Sequence, residues 1–512
     1  MKYLVPLFLL FLLPAKAFPG GSGDSLVYFH DLKFHSGFEH GAFLSFLTDP
    51  DASFDLFLAI DETMDSVKAA RYHKSFNGII QELESQAIAS KKMNKKIKMA
   101  YSGIHSKYMK KYNDYEYFPV LFEEGTYNCV SASMLFSLVF DRIDIPYKIM
   151  ASSDHVYLIA NPGEKSVVIE TTNPGFEQTI FSGEFKQQYV NYLRSSKLIS
   201  EEEYRNKSMD EIFQEKFKEV KDAEFSNLPG FQYHNKALMS FQNMEYKSAY
   251  ELAQKAYFFF PENQTRILLG SSLIALLDQC TYKHVEDIDY LAQVSRFNEA
   301  DINSVNALFN TIIQKNLQYT GREPFCDSIY SRLVEQVSNR ELRDELTFTF
   351  NILMSYHHQL SDDVEKYIGK ALDIQGNNWD AIQILQNHLV RKFSRIHDPE
   401  VLVDTVVAAI RKFPYQGIKL FLEEIEILSY LDAARLNYKK GQVKKADEYL
   451  ARFEEKYNSE STTFLIAQQI EDTYLAAAIY YFGRNYVSKA KAYLKRGLEY
   501  APNSYALKHA IE

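Results

Sequence analysis

Cys129 is the residue of this sequence whose position best suits chemistry. It closely follows Gly125, which ends a loop, and directly follows Asn128, a good helix N-cap. We therefore expect the thiol in the first turn of a helix that runs to about Arg142. Free backbone N–H groups and the helix dipole at that position stabilise a thiolate, the nucleophilic form of cysteine. The same N–H groups can hold the oxyanion of a tetrahedral intermediate.

A histidine and a carboxylate downstream are placed to activate this thiol, which on its own would suit a buried structural role. His155 directly precedes one short β-rich run and Glu170 lies in the next, and turn residues separate the two runs. If Asn161 pairs with Ser166 across that turn, Glu170 stands opposite Tyr157, on the same side of the sheet as His155. The imidazole and the carboxylate can then meet. Cysteine, histidine and carboxylate together are the arrangement of cysteine-nucleophile acyl transfer.

The sequence around these residues resembles the core of the transglutaminase-like superfamily from about Leu121 to Gly175. The matching pieces are Asn128-Cys129, Leu135-Phe136, Ile143 to Tyr147, Asp154 to Tyr157 and Ile169 to Thr172. This family shares its Cys-His-Asp arrangement with papain-type proteases, and it includes transglutaminases, peptidases, amidases and members that have lost activity. The resemblance implies Cys129 as nucleophile, His155 as general base and acid, and Glu170 as the residue that orients the histidine.

The chain departs from the pattern of that family at two positions. The third member of the triad is usually Asp, whereas this chain has Glu170, whose side chain is longer by one methylene. Asn173 is a second candidate for orienting the imidazole. The loop before Ile145-Pro146 has Asp144 where the family commonly has Gly.

The N-terminal part of the chain is predicted to be an α+β domain over residues 18–226. A polar helical pattern runs from about 82 to 111, and a second helical pattern, small and apolar on one face, runs from 128 to 142. Three β-rich runs follow, at Tyr147–Ala151, Val156–Ala160 and Val167–Thr171. Together with the resemblance, this order gives a transglutaminase-like, papain-like domain.

Residues 230–512 are predicted to form an all-α, tetratricopeptide-like solenoid. Strand patterns vanish from about Gly230, and two segments have the residue spacing of a unit of about 34 residues. They are Tyr474, Ala478, Tyr481, Gly483, Ala490, Leu494, Gly497 and Pro502, and Tyr233, Ala237, Tyr246, Ala249, Ala253, Ala256 and Pro261. Degenerate copies stand near Ala371 and at 441–446. Stacked repeats offer a concave surface for a peptide or protein partner; the alternative is an ordinary helical bundle.

The first 17 residues have the features of a secretory signal peptide. Lys2 precedes an apolar run from Leu4 to Leu13, and Ala15-Lys16-Ala17 is a small-x-small cleavage site. No cysteine follows that site, so lipid attachment is not expected. We expect a secreted or periplasmic protein with no stable membrane insertion after signal cleavage; an uncleaved single anchor is the alternative.

Charge and cysteine content exclude some classes of protein. The chain has 57 basic and 67 acidic residues and no long Lys/Arg block, so nucleic acid is not an expected partner. Its three cysteines are too few for a disulfide-built scaffold. Cys280 and Cys326 either pair or remain separate, and the sequence does not choose between these states.

No cofactor or metal site is predicted. His30, His35 and His40 are five residues apart, which matches no compact zinc spacing. The adjacent His357 and His358 are interpreted as a surface pair.

Two functions from different classes follow from these observations. The first is an exported cysteine-nucleophile protein that performs amide hydrolysis or acyl transfer on a peptide or protein, with a repeat domain for protein binding. The second is a non-catalytic scaffold or peptide-binding protein with a degenerate transglutaminase-like domain. Three retained chemical residues favour the first, and the substitution at Glu170 favours the second.

Overall fold

The computed structural model describes residues 26–49, 52–152, 155–163, 165–170, 190, 194, 199–218, 221–297, 300–457 and 464–512. The signal peptide predicted at 1–17 and the alternative orienting residue Asn173 lie outside this range. The described residues up to Thr281 form one compact unit, and those from Tyr282 onward form another. No helix of the described residues is long and apolar enough to cross a membrane.

The first unit combines helices with a small sheet. Its helices are α1 (Gly37–Thr48), α2 (Ser53–Leu58), α3 (Ser66–Ser85), α4 (Met93–Tyr108), α5 (Phe118–Glu123), α6 (Cys129–Arg142), α7 (Glu201–Asn206), α8 (Met209–Lys218), α9 (Leu228–Gln242), α10 (Tyr246–Phe259) and α11 (Asn263–Gln279). Its strands are β1 (Lys111–Tyr112), β2 (Thr126–Tyr127), β3 (Tyr147–Ala151), β4 (Val156–Ala160), β5 (Val167–Ile169) and β6 (Lys221–Ala223).

The main sheet is antiparallel and has the strand order β5-β4-β3-β6. In the hairpin of β4 and β5, Leu158 pairs with Ile169 and Ala160 pairs with Val167. This is the register that follows from pairing Asn161 with Ser166, so that prediction is confirmed. The β3 and β4 predictions are likewise confirmed, and β5 is shorter than predicted within the described residues.

Helix α6 lies in the centre of the core of the first unit. Every residue from Cys129 to Phe140 is buried, and the helix packs against β4. One face of the sheet contributes Leu158 and Ile169 to this core. The opposite face belongs to a smaller cluster, which contains Tyr157, Val168, Val190, Ile199 and Ile212. A helix buried on all sides needs no polar face, which explains its run of small and apolar residues.

The helical pattern over 82–111 divides into two helices rather than one. Helix α3 ends at Ser85 and α4 begins at Met93. Between them Ala87 has a φ of 53°, in the left-handed region, and a short 3₁₀ turn follows at Ile88–Ser90. Because a residue in that region cannot continue an α-helix, the chain changes direction here. The sequence contains no Gly or Pro to mark the break.

The first unit extends about fifty residues beyond the boundary expected at 226–230. Its last three helices are α9 to α11: buried polar side chains of α9 and α10 have partners near the start of the chain, and α11 packs against α10. Gln232 accepts a hydrogen bond from the N–H of Phe118 at 2.9 Å and donates to the carbonyl of Phe57 at 3.1 Å. Lys255, which is fully buried, pairs with Glu39 at 2.7 Å. Helix pairing alone, which the sequence does show, cannot reveal these distant partners.

The second unit consists of helices in its described residues. They are α12 (Asp289–Val294), α13 (Ile302–Leu317), α14 (Glu323–Gln336), α15 (Arg340–His357), α16 (Val364–Ile374), α17 (Trp379–Ser394), α18 (Pro399–Lys412), α19 (Gln416–Lys440), α20 (Val443–Lys456), α21 (Phe464–Phe482), α22 (Val487–Tyr500) and α23 (Tyr505–Ile511). This confirms the mostly helical character predicted for the C-terminal part of the chain.

Small residues allow close contact between α21 and α22. Ala478 and Ala490 are buried, and a Cβ on Gly497 would stand 2.8 Å from Cγ of Tyr474. The spacing that suggested a tetratricopeptide unit therefore corresponds to two packed helices. The earlier segment with this spacing, 233–261, is also a helix pair, α9 and α10, and it lies in the first unit.

Candidate functional site

A capping box fixes the start of α6, where Cys129 is the first helical residue. The Asn128 Oδ1 accepts from the N–H of Ser131 at 2.8 Å, and the Ser131 Oγ accepts from the N–H of Asn128 at 2.9 Å. These bonds satisfy two of the four N–H groups that a helix start leaves open. The N–H groups of Cys129 and Val130 remain as the pair nearest the thiol.

The loop before the helix is held in place from two sides. The Asn128 Nδ2 donates to the carbonyls of Asp114 and Glu116, at 3.1 and 2.8 Å. Gly125 has a φ of 75°, and its carbonyl accepts from Lys110 at 2.8 Å. A Cβ at Gly125 would lie 2.8 Å from the Lys110 side chain, so both the backbone angle and the space favour glycine.

The structure brings His155 and Glu170 together. The His155 Nε2 lies 3.0 Å from Oε1 and 3.3 Å from Oε2 of Glu170. His155 stands immediately before β4 and Glu170 immediately after β5, so the hairpin register sets this contact. Because Nε2 faces the carboxylate, Nδ1 is the ring nitrogen left for the thiol.

Cys129, Glu170 and burial together determine the protonation of His155. Burial favours the neutral ring and lowers its pKa, because a charge loses hydration in the interior. The charge of Glu170 and hydrogen bonds with Cys129 and Glu170 act in the opposite direction and prevail. They hold the pKa of His155 well above its ordinary value of 6.5. The three predicted site residues therefore form one interacting group, in the order thiol, imidazole, carboxylate.

The side chains of Cys129, His155 and Glu170 differ in their exposure to solvent. Cys129 is 8% exposed and His155 is 3% exposed, whereas the Glu170 side chain is 24% exposed. The imidazole is therefore shielded from water between a buried thiol and a partly solvated carboxylate. Shielding strengthens the electrostatic interactions within the group.

Two tyrosines near the carboxylate belong to the site, and sequence reasoning missed them. Burial is the main cause that raises the pKa of Tyr127, and the negative charge of Glu170 is the second. Burial, Tyr127 and Glu170 together raise the pKa of Tyr101. Both side chains are buried, and Tyr101 stacks on Phe136 at 5.7 Å between ring centroids. Tyr127 directly precedes the Asn128-Cys129 motif, which could have drawn attention to it; Tyr101 lies on α4 with no such signal.

The remaining predicted features are placed apart from this site. The side chain of His35 lies 3.9 Å from Glu62, and that of His30 lies 3.7 Å from Asp31. Within the described part of the chain, the histidines at 30, 35 and 40 do not form a metal-ligand group. All three cysteines are free thiols, so Cys280 and Cys326 do not form a disulfide bond.

The chain was also compared with known proteins. No protein-family model matches it, and no curated protein matches it either.

The arrangement has the parts that cysteine-nucleophile chemistry requires. A buried imidazole can take the proton of the thiol, a carboxylate fixes the orientation of that imidazole, and two helix N–H groups stand beside the sulfur. The cationic form of His155 is favoured, which is the form that accompanies a thiolate.

Proposed function

We propose that the first unit is a transglutaminase-like cysteine-nucleophile domain that performs amide hydrolysis or acyl transfer on a peptide or protein. The observation that carries the proposal is the bond of 3.0 Å between His155 and Glu170, together with the interaction of that imidazole with the Cys129 thiol. A cysteine that only fills the core needs no polar partner, whereas here a buried imidazole interacts with both the thiol and a carboxylate.

The mechanism follows from the order of these groups. The Cys129 thiolate attacks the carbonyl carbon of an amide, and the N–H groups of Cys129 and Val130 hold the oxyanion that forms. The His155 imidazolium gives its proton to the leaving amine as the C–N bond breaks, which leaves a thioester on Cys129. Water or a second amine then attacks the thioester and loses its proton to His155. Breaking of the C–S bond restores the thiolate, while Glu170 keeps the ring oriented throughout.

We propose further that the helical second unit binds a protein partner or substrate as a tetratricopeptide-like surface, and that the protein is exported. The support for the first point is the packed pair of α21 and α22, with small residues where the helices touch. The support for export is the N-terminal sequence, with its charged start, apolar run and small-x-small site.

A second candidate function is a non-catalytic scaffold with a degenerate active site. The burial of Cys129 and His155, which are 8% and 3% exposed, favours it, because a substrate carbonyl must reach the sulfur. In that case the three residues would serve as a structural cluster at the start of α6.

Reactivity of the thiols distinguishes these functions. The folded full chain is treated with iodoacetamide across a range of pH, and each adduct is located by mass spectrometry. We expect Cys129 to react fastest near neutral pH, and Cys326 to react slowly because burial raises its pKa to about 11. An activated ester should then leave one acyl group on Cys129.

Matched variants complete the experiment. His155→Ala should slow the alkylation of Cys129 and prevent its acylation, and Cys280→Ala should change neither. If Cys129 reacts more slowly than Cys280, or if no acyl group appears on it, the nucleophile proposal fails and the scaffold is favoured.

A further inference from the structure

Two adjacent histidines meet a glutamate in the second unit, away from the chemistry proposed above. Glu323 is the first residue of α14, His357 is the last residue of α15, and His358 caps that helix. The His358 Nε2 lies 3.0 Å from Oε1 of Glu323, and the His357 Nε2 lies 4.0 Å from its Oε2. Each oxygen of one carboxylate therefore faces a different imidazole.

The separation of these atoms suits a zinc ion. One ligand atom from each residue lies within 4.8 Å of the other two. In a tetrahedral zinc site with bonds of about 2.0–2.1 Å, neighbouring ligand atoms stand about 3.4 Å apart. The distances from the two oxygens of Glu323 to the two imidazoles, 3.0 and 4.0 Å, lie on either side of that value. Two imidazoles and one carboxylate are also a common ligand set of catalytic zinc.

Further side chains hold His358 in the orientation that a ligand needs. Its Nδ1 lies 4.0 Å from Oδ2 of Asp363, so a carboxylate stands behind the nitrogen that does not face Glu323. Its ring stacks on Tyr367 with centroids 5.3 Å apart and an angle of 12°. The Tyr367 hydroxyl donates to Glu323 at 3.5 Å. Metal-binding histidines typically donate the second ring N–H to a carboxylate, and Asp363 has to move closer than 4.0 Å to accept such a bond.

We propose that Glu323, His357 and His358 bind Zn²⁺ as three protein ligands. The His357 side chain is 38% exposed and the His358 side chain 16%, so the site opens to solvent on the His357 side. The fourth position is then taken by water or by a group of a binding partner. The ion would link the start of α14 to the end of α15, two elements that already pack against each other.

The test is zinc binding to the full chain, without a histidine tag, after removal of metal by a chelator. Cys129→Ala is the starting protein, so that the thiol cannot bind the ion. Isothermal titration with ZnCl₂ should give one site per chain. His357→Ala, His358→Ala and Glu323→Gln should each weaken binding by at least about tenfold, and the exposed His397→Ala should leave it unchanged.

A conservative change keeps the test valid if a ligand variant fails to fold, as judged by circular dichroism. His357→Gln retains a polar group at a side chain that is 38% exposed, and it should still weaken zinc binding by about tenfold through loss of an imidazole ligand. Binding of zinc with unchanged affinity to the folded His357→Ala and His358→Ala variants, or no saturable binding to the starting protein, would overturn the proposal.

Discussion

At the scale of single residues, the site depends on the hydrogen bond between His155 and Glu170. This bond occupies Nε2 and so assigns Nδ1 to the thiol. It also compensates for the burial of the imidazole, which would otherwise favour the neutral ring. The extra methylene of Glu relative to Asp is accommodated, because the carboxylate reaches Nε2 at 3.0 Å.

Glu170→Gln tests whether this carboxylate orients the imidazole. We expect the fold to be retained, since the Glu170 side chain is 24% exposed and Gln has the same shape. Alkylation of Cys129 near neutral pH should slow by about tenfold, equivalent to about 1.4 kcal/mol of lost stabilisation of the ion pair. The rate is measured with iodoacetamide and the adduct is located by mass spectrometry.

Glu170→Asp is the matched control for length. It restores the residue usual in the resembled family, but its side chain is shorter by one methylene. Slower alkylation of Cys129 in this variant would show that the hairpin places His155 at the distance that Glu requires. Unchanged reactivity of Cys129 in both variants would mean that Glu170 does not orient the ring. Asn173→Ala would then be the next variant, because an amide also orients a catalytic imidazole.

The raised pKa of His155 predicts a pH dependence of stability. The folded first unit holds the proton more tightly than the unfolded chain, where the pKa is near 6.5. The contribution of His155 is therefore complete below about pH 6.5 and is lost as the pH rises through the folded-state pKa. In that range stability should fall by about 1.4 kcal/mol per pH unit.

Unfolding in urea, followed by the hydrogen exchange of the buried amides of α6, measures this effect between pH 6 and pH 9. The difference between the wild type and Glu170→Gln should shrink as the pH rises. A difference that is constant or grows with pH would show that His155 is not held in its charged form.

The three proposed catalytic residues could be predicted from the sequence because each lies in a short segment with a recognisable pattern. Cys129 follows an N-cap, and His155 and Glu170 are related through one hairpin. Tyr101 could not be found in this way. It reaches the site through the packing of α4 against α6, and neither its neighbours nor its spacing indicates that contact.

At the scale of elements, Asp144 has a backbone conformation that usually favours glycine, the residue common at this position in the resembled family. Its φ is 55°, so the position has the left-handed conformation for which glycine is suited. Asp tolerates this region better than most residues, because its short polar side chain can bond locally. The turn between α6 and β3 is thus kept without Gly.

Asp144→Gly should stabilise the first unit, because glycine relieves the strain of a positive φ. Strain of this kind is of the order of 1 kcal/mol, and part of the gain is offset by the greater freedom of glycine in the unfolded chain. We therefore expect a gain of about 0.5 kcal/mol and a loss of about 1 kcal/mol for Asp144→Ala. Urea unfolding monitored by the hydrogen exchange of the buried α6 amides compares the two, and equal stability of both variants would contradict this account.

Elements with clear periodicity or turn chemistry were predictable, and others were not. The β4–β5 hairpin has turn residues and alternating partners that determine its register. Strand β6 consists of Lys221-Asp222-Ala223, whose residues have low strand preference. It forms because β3 offers an unpaired edge, and that condition is set by the tertiary fold.

At the scale of the whole molecule, buried ionic contacts decide where the first unit ends. Glu39 on α1 accepts from Lys255 at 2.7 Å and from the Tyr233 hydroxyl at 2.9 Å. All three side chains are buried, so removing Glu39 leaves a buried charge without its partner. Breaking such a pair typically costs about 3–5 kcal/mol. Helices α9 and α10 therefore depend on the N-terminal segment despite their repeat-like spacing, and α11 depends on it through its packing against α10.

This dependence predicts which fragment of the chain folds alone. A fragment of residues 282–512 should retain its helicity and melt cooperatively, because the buried clusters around Ile368 and Leu431 lie entirely within it. Far-UV circular dichroism with temperature is the measurement. A fragment of residues 226–512 is the matched comparison.

In the longer fragment, helices α9 to α11 lack Glu39 and the carbonyl of Phe57, the partners of Lys255 and Gln232. Buried polar groups without partners are strongly destabilising, so these three helices should exchange their amide hydrogens much faster than the rest of the fragment. Equal protection throughout residues 226–512 would place the boundary near 226, as the helix spacing alone suggests. Loss of helicity in the 282–512 fragment would show instead that the second unit requires the first in order to fold.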